Sequence, residues 1–270
     1  MPKKETWSFT KLSAYEQCPY QFYLKYREKR GGADNFYSTF GSLIHELLEK
    51  ILKKEMTYDE AIEYYTYSFD DVVLKDAPKD TIEKFFDRGL IYLSEVNFDW
   101  LDDEFEIVGV EEELYFKIDE YEFVGVIDLL LKNKESGAYV IIDHKSSRYP
   151  FGKNGQPLKA CLNQVEHYET QLYFYAEAVK QKFGVYPVQL TWNYFREGKW
   201  YSIPFDEEKI SKSQEWAKNL ISQIKKDKAF DSKEDFFYCK NLCDYRDSCE
   251  YKLMKDEDES DDTSARSLDI

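Results

Sequence analysis

No apolar run in this 270-residue chain approaches the roughly 18 residues that span a bilayer. The opening MPKKETW also lacks the apolar stretch of a secretory signal. The expectation is an intracellular, cytoplasmic protein without a membrane partner (in the host cytoplasm if the source is viral). Cysteine is scarce, at five residues. In an intracellular chain these read as thiols or metal ligands rather than disulfides. Positive charge is short too. Against 53 Asp and Glu stand 37 Lys and Arg, a net charge of −16, which argues against a simple nucleic-acid coat because phosphate binding favours basic surfaces. There is no GxxxxGK[ST] phosphate loop and no internal repeat.

What the chain does have is core-forming material. Hydrophobic residues make up 43% and aromatics 17%, with 23 Tyr, enough for one large domain or a domain with a subdomain. Charge is unevenly placed. The run DEDESDD at 256–262 carries six acids and reads as part of a solvated, disordered tail over 255–270. Elsewhere the balance inverts: Lys145, Arg148, Lys153 and Lys159 fall in a stretch without acids, and Lys25, Arg27, Lys29 and Arg30 form a second basic run. Local basic surface on an acidic protein suits an enzyme that holds a polyanion briefly.

Read in order, SFTKLSAYEQCPYQFYLKYREKR predicts two short helices, with Ser8 or Thr10 capping the first and Pro19 opening the second. A helix over 38–55 carries Leu43, Leu47, Leu48 and Ile51 on its apolar stripe. It places His45 and Glu49 on one face, with Gly41 one turn earlier, where a backbone or ligand could approach. Two further helices fit 58–74 and 81–100, Asp80 capping the latter. From Phe105 the pattern turns extended, with a turn at Asp119–Glu120, and about three antiparallel strands follow. A loop spans 150–157. A long helix over 162–183 sets Gln171 and Tyr175 four apart, and a hairpin turning at Glu197–Gly198 leads into an amphipathic helix ending near Lys226.

The most informative stretch is VGVIDLLLKNKESGAYVIIDHK, 124–145. Two apolar runs flank a polar turn with Gly137, a β-hairpin signature. Each run ends near an acid, Asp128 and Asp143. Lys145 lies two residues past Asp143, so both side chains share a face of an extended strand. Two carboxylates and an ammonium at one end of a hairpin can hold a divalent cation beside a group that orients water. They also fit a half-buried salt bridge. Glu113, in the preceding strand, reads as an exposed strand acid or a supporting acid.

Near the C-terminus, Cys239, Cys243 and Cys249 fall within eleven residues. Such density points to a metal or cluster site, which wants four ligands. Cys18, in its CP context, is a stronger fourth than Cys161 and would staple the two ends of the fold together.

Taken together, SFTKLSAYEQCPYQF, GSLIHELLE, GVID, DHK, QLYFY and the last three cysteines resemble the PD-(D/E)XK nuclease superfamily. More narrowly, they resemble its RecB-type iron–sulfur branch, found in AddAB-type helicase–nucleases and CRISPR adaptation exonucleases. The resemblance implies an α/β (α+β) restriction-endonuclease-like core: a mixed, mostly antiparallel sheet flanked by helices, with an N-terminal helical subdomain and a C-terminal Cys cluster. One domain would cover 1–254, with a helical part over 1–100, a catalytic core over 101–226 and a Cys segment over 227–254. It further implies that Asp128, Asp143, His45 and the His144 carbonyl hold Mg²⁺ or Mn²⁺, and that Lys145 positions water and stabilises developing charge. Gln171 and Tyr175 would orient the lysine or the DNA backbone. Cys18, Cys239, Cys243 and Cys249 would hold a [4Fe–4S] cluster. Three residues separate Cys239 from Cys243 where the family usually has two, which leaves structural Zn²⁺ or an empty site open.

The implied activity is metal-dependent phosphodiester hydrolysis, as an exonuclease on single-stranded DNA or DNA ends, in recombination, repair or replication. The alternatives are a non-catalytic DNA-binding or scaffold protein of the same fold, or a nuclease subunit active only with a helicase or other replication or recombination partner.

Overall fold

Strand β3 (Tyr121–Asn133) is the element to which most of the others are fitted. The computed structural model describes residues 5–233 and 235–251; the acidic run at 256–262 lies outside the described residues. Along one edge β3 pairs antiparallel with β2 (Phe105–Ile118) over its whole length. Its other edge is shared. The short β1 (Thr6–Trp7) joins in parallel at residues 122 and 123, and β4 (Tyr139–Lys145) joins antiparallel from Leu129 to Lys132. Beyond β4 come β5 (Gln189–Tyr194), parallel to it, and β6 (Lys199–Pro204), antiparallel to β5. The six-stranded sheet is therefore mixed and mostly antiparallel, as expected.

Helices cover both faces. Phe9, Leu12 and Tyr15 of α1 (Phe9–Gln17) join a core with Ile127, Ile141 and Trp192 and with the apolar stripes of α7 (Leu162–Phe183) and α8 (Glu208–Lys226). On the opposite face α3 (Phe36–Leu52), α4 (Tyr58–Val72), α5 (Lys79–Glu95) and α6 (Asp99–Glu104) bury Leu129, Leu131, Val140 and Ile142. Because the central strands are buried on both sides, they read as continuous apolar runs rather than alternating ones.

Local signals start most of the helices. Ser8 accepts the Lys11 N–H at 3.1 Å and caps α1, and Pro19 opens α2 (Pro19–Phe22). Asn35 with Ser38, and Thr57 with Glu60, form capping boxes at α3 and α4. The expected helix over 81–100 is instead two. Pro78 takes the cap position and Asp80 falls inside the first turn of α5. The helix stops at Glu95 because the next residues are claimed by other partners: Asn97 accepts the Asp99 N–H at 2.6 Å, and the Tyr58 hydroxyl accepts the Phe98 N–H at 2.7 Å. Among the described residues no helix is long and apolar enough to cross a membrane.

Candidate active site and cysteine cavity

The last register pair between β3 and β4 is Leu129–Ile142. Past it the two strands part, and Asp143 to Lys145 pair only with β5. The fork leaves the His144 N–H without a ladder acceptor, and the Asp128 carboxylate supplies one: Oδ2 accepts that N–H at 2.7 Å. The strand ends thus diverge at the point where both acids sit, and one acid ties them together.

Three donors meet over the fork. His45 Nδ1 of α3 lies 3.7 Å from Glu111 Oε1 and 3.8 Å from Asp128 Oδ2, and donor atoms of all three residues lie within 4.8 Å of one another. Glu111, on β2, was missed in the sequence, where Glu113 drew attention instead. Glu113 is exposed and, among the described residues, accepts a hydrogen bond from the Tyr115 hydroxyl. Glu111 sits between the register pairs Val110–Leu129 and Glu112–Ile127, hence opposite Asp128, and its φ is 53°. That left-handed backbone is uncommon for glutamate and costs of order 1–3 kcal/mol, strain that concentrates at functional sites.

Asp143 stands beside this group rather than in it. Its Oδ2 lies 2.7 Å from Lys145 Nζ, both side chains being nearly buried. Lys145 Nζ also donates to Gln171 Oε1 at 2.7 Å, and Gln171 Nε2 donates to the Tyr175 hydroxyl at 3.0 Å. The Tyr168 ring covers the ammonium at 4.3 Å. Gly125 of β3 makes room for this chain. A Cβ there would lie 3.0 and 3.1 Å from Tyr175 ring carbons, tighter than a packed ring accepts. Gly41, by contrast, has ordinary space: an added Cβ would sit 3.4 Å from Ser146 Oγ.

The electrostatics follow from crowding acids in a dry fork. Burial and the Asp143 charge push the Asp128 carboxyl up to about 7, against the pull of His45, the His144 N–H and Lys145. Burial alone would depress His45, but Glu111, Asp128 and Asp143 together raise it. Burial likewise opposes the charge on Lys145 and is outweighed by Asp143, so the ammonium persists. His144 is different. Its ring is buried, held well below the usual histidine range first by desolvation, and Nδ1 faces Asn193 Nδ2 at 3.0 Å. The side chain is a neutral core group, which leaves the backbone carbonyl as the part of His144 that a cation could use.

The donor set suits a hard divalent cation. Carboxylate oxygens favour Mg²⁺ or Mn²⁺, and the imidazole favours Mn²⁺ of the two.

Cys18, Cys239, Cys243 and Cys249 all line one cavity of about 330 Å³, whereas Cys161 sits apart at the head of α7. Cys18 lies at the junction of α1 and α2, Cys239 in α9 (Phe236–Asn241). Burial, with the other three thiols nearby, pushes Cys243 up to about 11, and its Sγ accepts the Tyr245 N–H at 3.4 Å. The two chain ends are joined around this cavity. Tyr238 OH donates to Gln21 Oε1 at 2.7 Å, and Tyr245 OH donates to the Arg30 carbonyl at 2.7 Å.

The expected basic surface at 25–30 is largely neutralised: Lys25 pairs with Asp244, Arg27 with Glu5 and Arg30 with Glu28. Sequence cannot reveal such pairing, because two of those three acids are distant in the chain.

Among solved structures, the chain resembles a protein of Eubacterium rectale provisionally described as an exonuclease, with 10% identity over 82% of this chain and 80% of that one and a TM-score of 0.49. It also resembles SSO0001, with 16% identity over 94% and 90% and a TM-score of 0.43. Nothing about activity follows from likenesses at this level. No curated protein matches. The family model of the PD-(D/E)XK nuclease superfamily matches residues 6–250, nearly the whole described chain, with the forked hairpin and its acids inside it. The chain belongs to the PD-(D/E)XK nuclease superfamily.

Proposed function

We propose that this protein is a divalent-metal-dependent deoxyribonuclease that hydrolyses phosphodiester bonds at single-stranded DNA or DNA ends, in recombination, repair or replication. The observation that carries the reading is the meeting of His45, Glu111 and Asp128 beside the Asp143–Lys145 pair. A phosphodiester is a stable anion, so cleavage needs charge neutralisation, an activated water and a stabilised leaving oxygen. His45, Glu111 and Asp128 would hold the cation, with Asp143 and the His144 carbonyl as further ligands in this proposal. Bound there, Mg²⁺ or Mn²⁺ supplies Lewis acidity and a water of lowered pKa.

The remaining work falls to the chain itself. The Lys145 ammonium orients the attacking water and donates to the charge that develops on the phosphoryl oxygens. Gln171 fixes the ammonium's direction and Tyr175 fixes Gln171, so these two are positioning residues. Cys18, Cys239, Cys243 and Cys249 would hold a [4Fe–4S] cluster. All four line one cavity of about 330 Å³, and a structural Zn²⁺ is the alternative occupant.

The test is cleavage of end-labelled single- and double-stranded DNA with Mg²⁺, Mn²⁺ or EDTA, using protein purified without oxygen, wild type against Asp143→Ala. Metal-dependent cutting by the wild type, lost in the variant, is expected. DNA binding without cutting by either would overturn the catalytic reading in favour of a scaffold or a partner-dependent subunit.

A further inference from the structure

A broad groove runs along α1 and the first turns of α7, bordered by α8 and by the segment that holds Tyr238 and Asp244. Its volume is about 980 Å³, nearly three times that of the cysteine cavity. On one side it adjoins the fork. Tyr168 lines the groove, and the same ring covers the Lys145 ammonium at 4.3 Å. On another side it adjoins the cysteines, because Gln21 and Tyr238 line both spaces.

The wall is polar without being cationic. Among the described residues it carries three carboxylates, Glu16, Glu166 and Asp244, against two ammonium groups, Lys25 and Lys212. Glu16 lies 3.3 Å from His167 Nδ1 and accepts the Trp216 indole N–H at 2.9 Å, and Asp244 lies 3.2 Å from Lys25. With no excess of cations, this is not a surface that holds a row of phosphates. Side-chain amides gather there instead: Gln17 of α1, Gln21 of α2, and Asn163 and Gln164 of α7. Each amide both donates and accepts. Ser13, in the same wall, has a hydroxyl without a hydrogen-bond partner among the described residues. Helices packed only for stability close such a gap with apolar side chains; here four amides line it.

Helical spacing brings the groove to the lysine. Gln164 and Tyr168 are four apart on α7, as are Gln171 and Tyr175, so each pair shares a face. Gln164 Nε2 donates to the Tyr168 hydroxyl at 3.2 Å, repeating the Gln171–Tyr175 bond one turn earlier. The two pairs bracket Lys145: Gln171 accepts its Nζ at 2.7 Å and Tyr168 covers it. Along the facing wall, Thr10 to Gln17 of α1 spans about 10 Å at 1.5 Å per residue, the length of about three bases spaced by 3.4 Å.

We infer that this groove receives the bases of about three nucleotides of a single strand next to the scissile phosphate, with the Tyr168 ring as the platform between them and Lys145. The inference rests on the nuclease reading for its ligand class. Asn and Gln amides match the donor and acceptor edges of bases, and stacking on an aromatic ring accepts every base. Edges are free only in an unpaired strand, so the groove selects single strands over duplex. The sugar–phosphate chain lies toward solvent, which is why the wall needs no cationic excess.

The experiment measures binding in EDTA, where no cleavage occurs, of a single-stranded oligonucleotide, a wholly abasic strand of equal length and a blunt duplex. Wild type is compared with Gln17→Ala/Asn163→Ala and with Asn163→Ala alone, whose side chain is exposed; unchanged melting temperatures certify the fold. The wild type should bind the single strand more tightly than the abasic one. The double variant should lose about fivefold or more on the single strand and the single variant part of that. Neither should lose affinity for the abasic strand or the duplex, and the salt slope should not change, because no phosphate contact is removed. An equal loss on single and abasic strands, or a shallower salt slope, would assign the groove to backbone contacts and overturn the inference. Unchanged affinity of both variants for the single strand would overturn it too. A wild type that binds no strand at all would sink the nuclease reading and this inference with it, whereas variants that match a binding wild type sink this inference alone.

Discussion

Asp128 accepts the backbone N–H of His144 at 2.7 Å, so the acid of one strand closes the hydrogen bond that its diverging neighbour leaves open. This contact couples the fold to the site. The carboxylate is held where the strands part, with one oxygen satisfied by backbone and the group still facing His45 and Glu111.

Glu111→Gln keeps the shape and removes one charge from the group of three. Mn²⁺ affinity, read by calorimetry, should fall about 10- to 100-fold and cleavage with it, while the melting temperature without metal is held or raised. An unchanged metal affinity would show that Glu111 is not a ligand.

Lys145→Ala should cost at least about a hundredfold in cleavage, in line with the loss of one positioned donor to developing charge. It also leaves the buried Asp143 without its counter-charge. Stability should therefore drop by about 3–5 kcal/mol, and Mn²⁺ should restore part of it. Asp143→Ala should abolish cleavage with a smaller thermal penalty, because Lys145 keeps Gln171. Paired melting curves with and without Mn²⁺ check both.

The pH dependence has a definite sign. The Asp128 carboxyl is pushed up to about 7, above its value in an unfolded chain, so between about pH 4 and 7 the folded state holds a proton that the unfolded state has lost. Metal-free stability should fall as pH rises through that window. Mn²⁺ affinity should rise over the same window, because the cation displaces the proton. Calorimetry in buffers of different ionisation enthalpy should detect proton release on binding at pH 6 and less at pH 8.

Cys243→Ala should lower the melting temperature and remove any colour and bound metal from anaerobically purified protein, since metal binding there would be folding free energy. Metal analysis distinguishes iron from zinc. An unchanged melting temperature would remove the cluster from the stability of the joined chain ends, leaving the Tyr238–Gln21 and Tyr245–Arg30 bonds to hold them.

Gly125→Ala probes the support of the lysine without touching it. The added methyl meets the buried Tyr175 ring, and overpacking of this kind costs about 1–3 kcal/mol. Cleavage should fall with Mn²⁺ affinity unchanged, as Tyr175 and Gln171 shift relative to Lys145.

Much of this was written locally. Apolar periodicity placed α3 and α7, and the Gly137 turn placed β3 and β4, because each of those signals acts over a few residues of chain. Asp128, Asp143 and Lys145 were readable as two acids and an ammonium at the end of a hairpin; Gln171 and Tyr175 were readable only as a pair on one helix face, and their place beside the lysine came from the family resemblance. Glu111 was within reach as well: counted outward from the two-residue turn at Asp119–Glu120, the residue facing Asp128 is Glu111, not Glu113. Other features depended on groups far apart in sequence. The break after Glu95 needed Tyr58, the neutral state of His144 needed its burial, and the pairing of Lys25 needed Asp244. The strand fork arises because β3 gives one edge to both β1 and β4. Chain order records what each residue can do; which charges meet, and how dry the meeting place is, depends on contacts across the fold, and those set the energies at this site.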